Sequence, residues 1–104
     1  MKEKVRTITS RIFLYLFCHR VTYFKSNKKY EQSVIFDVDI KSGSFIIELE
    51  DLVNNKIEKL DNPSLGIYEY PLKKDNRYRI KITSKGACGK YKIQKKTLIF
   101  NGDK

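Results

Sequence analysis

No run of apolar side chains in this sequence approaches the roughly 20 residues that a membrane-spanning helix requires. The longest, Ile12 to Cys18, has seven, so an ordinary helical membrane protein is excluded. Histidine occurs once, as His19, and cysteine twice, as Cys18 and Cys88. Those residues form no CxxC or other metal-ligand spacing, so neither a metal nor a cofactor is expected. The two thiols stay free in a reducing cytoplasm or form a single bridge in an oxidising compartment. A nucleophile needs a base within hydrogen-bond reach, and only His19 could supply an imidazole. There is no GxSxG elbow. Gly86-Ala87-Cys88-Gly89-Lys90 has two residues between its glycines where a phosphate loop has four, and Tyr91 stands where Ser or Thr should follow. Asp37, Asp39, Glu48 and Glu50 provide neighbouring carboxylates, as a glycosidase or a calcium site would need. Their alternation puts them on a solvated strand face, and the EF-hand spacing is missing. The sequence therefore predicts a protein that is not an enzyme.

What is present suits one folded domain. The 104 residues are 40% hydrophobic and 33% charged, enough for a single modest core. The 7 Tyr and 6 Phe supply aromatic bulk for packing. The net charge of +10 is segregated: residues 1–30 carry eight basic and one acidic side chain, residues 31–70 three and nine, and residues 71–104 eleven and two. A basic, acidic, basic order admits two readings. The acidic middle lies against the basic ends within the fold, or the basic surface awaits a polyanion.

From Val34 the pattern has a period of two. Val34, Phe36, Val38 and Ile40 share one face and Asp37 and Asp39 the other, as in a half-buried strand. Lys41-Ser42-Gly43-Ser44 has turn composition, and Phe45, Ile47 and Leu49 then alternate with Ile46, Glu48 and Glu50, which predicts a hairpin with an acidic outer face. Residues 51–66 hold turn formers around Ile57 to Leu60, read as a short strand or irregular loop. Tyr68, Tyr70 and Leu72 resume the alternation, and Pro71 marks an edge strand or a strand end. Tyr78, Ile80 and Ile82 alternate with Arg77, Arg79, Lys81 and Thr83. After a turn at Lys85 to Gly89, Tyr91 and Ile93 alternate with Lys90 and Lys92, and Leu98 and Phe100 extend this strand or form another.

The expected fold is all-β: a small antiparallel β-sandwich or partly open barrel of five to seven strands over residues 31–104. Its core takes in Phe36, Val38, Ile40, Phe45, Ile47, Leu49, Tyr78, Ile80, Ile82, Tyr91 and Ile93. Residues 1–30 form a basic N-terminal segment. Lys2, Lys4, Arg6 and Arg11 before Ile12 to Cys18 have the order of a bacterial export signal, without an Ala-x-Ala cleavage site. Val5, Ile8, Ile12, Leu16 and His19 suit a helix face docked on the core, and the alternation of Ile12, Leu14 and Leu16 with Phe13, Tyr15 and Phe17 suits an extra strand equally well.

If residues 77–84 pair with 90–95, then Arg77, Arg79 and Lys81 share an outer face with Lys90 and Lys92. Like charges opposite one another on a sheet are destabilising. Either Asp37, Asp39, Glu48 or Glu50 offsets them from an adjacent strand, or the row is held open for single-stranded nucleic acid. Base stacking needs exposed rings, yet Tyr68, Tyr70, Tyr78 and Tyr91 fall on the predicted inner face.

The stretch YEYPLKKDNRYRIKITSKGACGKYKI, residues 68–93, resembles the closing strands of small β-sandwich modules in bacterial exported proteins and lipoproteins. It is also similar to the pre-peptidase C-terminal type of domain, and the resemblance spans residues 34–95. It implies a non-catalytic accessory or surface-associated module, exported or membrane-associated, with a cell-surface or protein partner. The competing expectation is an intracellular polyanion or nucleic-acid binding protein using Arg77, Arg79, Lys81, Lys90 and Lys92.

Overall fold

The computed structural model of the chain describes residues 2–61 and 65–99. Five antiparallel strands form one sheet: β1 (Lys2–Lys25), β2 (Glu31–Asp51), β3 (Lys56–Asp61), β4 (Leu65–Leu72) and β5 (Arg77–Ile99). β5 lies between β1 and β2. The far side of β2 is shared, β4 pairing with Gln32 to Asp39 and β3 with Ile46 to Asp51. The N-terminal segment is thus a strand, paired with β5 along almost its whole length.

The sheet is folded back on itself. Lys25 pairs with Arg77 and Glu31 pairs with Leu98, so the short connection 26–30 joins the two ends of β5. A straight strand of that length would span roughly 75 Å, whereas the longest dimension of the molecule is 51 Å. A connection of five residues reaches about 20 Å, so β5 must double over and carry its neighbours with it. Contacts between the two halves follow: the Lys95 ammonium near one end of β5 lies 5.7 Å from the Phe24 ring, which stacks on Tyr78 at the other end.

Bulges make the bend. Buried positions run 34, 36, 38, 40 and then 45, 47, 49 in β2, and 78, 80, 82, 84 and then 87, 91, 93 in β5. In β1 they are 13 and 16. Each change of phase coincides with a register slip, between Ile40 and Ser44 on β2 and between Phe13 and Cys18 on β1. Extra residues there turn the strand while keeping its apolar side inward. Gly43 takes φ +82° and Gly86 φ +63° at this level, values that side chains with a Cβ resist.

Two expectations are corrected here. Lys41 to Ser44 and Lys85 to Gly89 are bends within continuous strands, where hairpin turns were expected. Residues 34–40 therefore do not pair with 45–49, nor 77–84 with 90–95; both halves of β5 pair with β1 and β2 instead. The strand also continues through Lys95 and Lys96 to Ile99; Phe100 lies outside the described residues.

All eleven expected core residues are buried, joined by Phe13, Leu16, Val34, Leu72 and Ala87. Phe36, Phe45, Ile47, Ile80 and Ile93 are among the side chains almost wholly removed from water, each worth about 1.5 to 3 kcal/mol of burial. Phe13 stacks on Phe45 across the bend with centroids 5.9 Å apart, and both approach Tyr91. Among the described residues no pairing joins β1 to β3 or β4, so the sheet does not close into a barrel. Among the described residues β1 pairs on one side only, as a long edge strand. Arg11 and Arg20, opposite buried Tyr91 and Ile82, set charge on its inward row, a device that discourages further strand pairing.

Candidate functional site

The five cations expected to form one row are divided by the bend. Arg77, Arg79 and Lys81 lie on the outer face of one layer, and Lys90 and Lys92 on the outer face of the other. Acidic residues of β2 stand opposite four of them. Arg79 pairs with Glu50 across the strands, its Nε donating to Oε1 at 2.8 Å. Lys81 approaches Glu48 at 4.0 Å, and in register Lys90 faces Asp39 while Lys92 faces Asp37. Arg77 faces Lys25, which bridges to Asp75 at 3.4 Å. The antiparallel register of β2 on β5 thus sets four carboxylates of the acidic block against four cations of the last basic block.

Strand alternation sets His19 and Ser84 on opposite faces of the sheet. His19 pairs with Thr83, and its Nδ1 lies 3.3 Å from the Thr83 hydroxyl on the outer face. Ser84, one residue on, points inward and donates to the Leu16 carbonyl at 3.1 Å and to the Cys18 sulfur at 3.4 Å. Cys18 and Cys88 are both free and half-buried. Among the described residues no three His, Cys, Asp or Glu side chains gather as a metal-binding group.

Asp51 is a buried carboxylate with a structural task. Its Oδ1 accepts from the Val53 and Asn54 amides at 3.0 and 2.9 Å, and its Oδ2 from the Asn54 side chain at 2.9 Å, which ties the turn from β2 to β3. Burial pushes its pKa up, but the hydrogen bonds from Asn54, Asn76 and Val53 outweigh this and hold it down at about 2. Nearby, at the open margin between the layers, Tyr70, Leu49, Glu58 and Tyr78 line a small cavity. Burial and the Glu58 charge push the Tyr70 phenol above its ordinary value.

The most unusual surface is the corner of β1. Phe13 and Leu16 point into the core, while Ile12, Leu14, Tyr15 and Phe17 are 73–84% exposed. Leu14, Tyr15 and Phe17 have no register partner on β5 because they fall in the two slips around Leu16. Tyr15 sits at φ +51°, a conformation costing a bulky residue on the order of 1–3 kcal/mol. Its amide donates to the Cys88 sulfur at 3.4 Å. The Phe17 ring covers Gly86. Ile12 and Leu14 border a shallow groove that also takes in Lys41, Gly89 and Lys90.

The strand alternation of Ile12, Leu14 and Leu16 with Phe13, Tyr15 and Phe17 does not hold through the bend, where Phe13 and Leu16, one from each set, turn inward. A signal was present: an edge strand of a two-layer fold buries one face, so seven successive apolar residues must leave about half outside. No protein-family model matches the chain, and no curated protein matches it.

Proposed function

We propose that the chain is a non-enzymatic accessory module, exported or membrane-associated, that engages its partner through the corner of β1. The observation that carries this reading is the outward display of Ile12, Leu14, Tyr15 and Phe17 from a strand whose remaining apolar residues at the bend are buried. A cluster of large apolar side chains held in water marks an interaction surface. Two further observations support it. Four of the five outer-face cations stand opposite carboxylates of the same sheet, which offsets like-charge repulsion along those rows. His19 and the buried Ser84 point to opposite faces of the sheet, and the hydroxyl beside the imidazole is that of Thr83 on the exposed outer face.

Fractionation of cells producing the full-length chain tests the reading. The chain is expected in the membrane or exported fraction, and the double change Leu14→Ser and Phe17→Ser is expected to release it without altering its melting temperature. Recovery of the unchanged chain wholly as a free cytosolic monomer would overturn the proposal.

A further inference from the structure

The surroundings of the corner specify its partner more closely. Ile12, Leu14, Tyr15 and Phe17 project from the outside of a bend, so they are knobs to be inserted rather than walls of a pocket. Lys41 and Lys90 border the same groove as Ile12 and Leu14, and Lys85 precedes the Gly86 that the Phe17 ring covers. All three lysines are exposed. The one carboxylate in the groove, Asp39, is bonded to Lys41 at 3.1 Å and largely withdrawn from solvent. Apolar tips with an aromatic phenol, ringed by flexible lysines and no free acid, match a layer in which hydrocarbon lies just beneath phosphate.

A second copy of the chain fits poorly. Antiparallel pairing of β1 with itself would set strands carrying six basic and one acidic side chain against each other, with Arg11 and Arg20 on the inward row. Four apolar side chains also fall well short of the 20–30 residues a side in a standard protein interface.

We propose that this corner docks on an anionic phospholipid bilayer, Ile12, Leu14, Tyr15 and Phe17 entering the headgroup boundary while Lys41, Lys85 and Lys90 contact lipid phosphates. The inference rests on the reading of the corner as the interaction surface and names its partner. It differs from helical anchoring, because the apolar side chains come from a strand bend and reach only the outer boundary of the membrane.

Co-sedimentation of the purified full-length chain with vesicles of phosphatidylcholine alone, or with about a third phosphatidylglycerol, tests it. The chain should sediment with the anionic vesicles and far less with the neutral ones. Leu14→Glu with Phe17→Glu should weaken binding by at least about tenfold with an unchanged circular dichroism spectrum, since exposed substitutions barely move stability. Replacing Lys41, Lys85 and Lys90 by Gln should lower affinity for anionic vesicles alone, by roughly fivefold per lysine. In Phe17→Trp, the only tryptophan of that chain, emission should shift to the blue on binding.

Absence of sedimentation with either vesicle, or binding that survives Leu14→Glu with Phe17→Glu, overturns the inference. So does a concentration-dependent dimer abolished by the same change, which would make a second copy the occupant. A chain that fractionates with cell membranes through its corner but ignores protein-free vesicles has a protein receptor; the inference then fails while the broader reading stands.

Discussion

Gly43 and Gly86 face each other where β2 and β5 bend, and a single methyl group added to either probes the bend differently. Both take positive φ, +82° and +63°, so Ala at either site carries a left-handed penalty of about 1–2 kcal/mol, partly offset by a stiffer unfolded chain. The surroundings then diverge. A Cβ on Gly43 would lie 2.3 Å from the Gly86 carbonyl oxygen and 2.6 Å from the Ala87 Cα, both backbone atoms, while one on Gly86 would meet only the Phe17 ring, at 3.5 Å. To admit the Gly43 methyl, β5 must move away from β2 by about 1 Å, loosening one or two ladder hydrogen bonds at about 1 kcal/mol each and the packing behind them. Gly43→Ala is therefore expected to cost about 3 to 5 kcal/mol and Gly86→Ala about 1 kcal/mol. At roughly 4–8 °C per kcal/mol for a domain of this size, the first variant should melt at least about 12 °C lower and the second within about 8 °C of the parent. Thermal and urea denaturation followed by circular dichroism measure both. Equal losses in the two variants would refute the reasoning, because the bend would then not bring the strands into backbone contact at Gly43.

Three more outcomes follow from the packing and charge. Ile80, 2% exposed, should cost about 2–5 kcal/mol on change to Ala, measured by urea unfolding; an unchanged curve would contradict its inward register. Asp51 is held at about 2 in the fold, below the ordinary carboxyl value near 3.9. Its contribution is complete above the unfolded value and is lost as pH falls from about 4 through about 2. Asp51→Ala should lower stability at neutral pH by about 1–3 kcal/mol and make the acid limb of the stability curve shallower; an unchanged limb would place the acid sensitivity elsewhere. With Arg79 and Lys81 paired to Glu50 and Glu48, changing both to Ala should leave the salt dependence of any binding to single-stranded nucleic acid unchanged in titrations from about 50 mM salt. A clearly shallower salt dependence in that variant would restore the polyanion reading of this row.

The strands and their inward faces were legible because a period of two in Val34 to Ile40 and Tyr78 to Ile82 has one physical cause, burial of one sheet face. The path of the chain between them was not. Lys41 to Ser44 and Lys85 to Gly89 carry the small and glycine residues of a hairpin turn, and a bulged bend requires the same positive φ from the same residues. Local composition shows that the backbone must deviate there. Whether it reverses or merely bends is decided by partners more than 40 residues away, such as Gly89 opposite Ile40 and Phe13. Likewise the acidic and basic blocks were visible as blocks, but their matching required the register of β2 on β5. The corner was hidden for a related reason: Tyr15 breaks the alternation of β1 by taking φ +51°, so a period of two over Ile12 to Phe17 assigns neither face correctly.

Amide hydrogen exchange on the full-length chain, with and without anionic vesicles, tests the functional account most directly. Slowing confined to residues 12–17, 41–44 and 85–90 is the predicted result. Slowing centred on the outer rows at 48–50 and 79–81, with the corner unchanged, would contradict it.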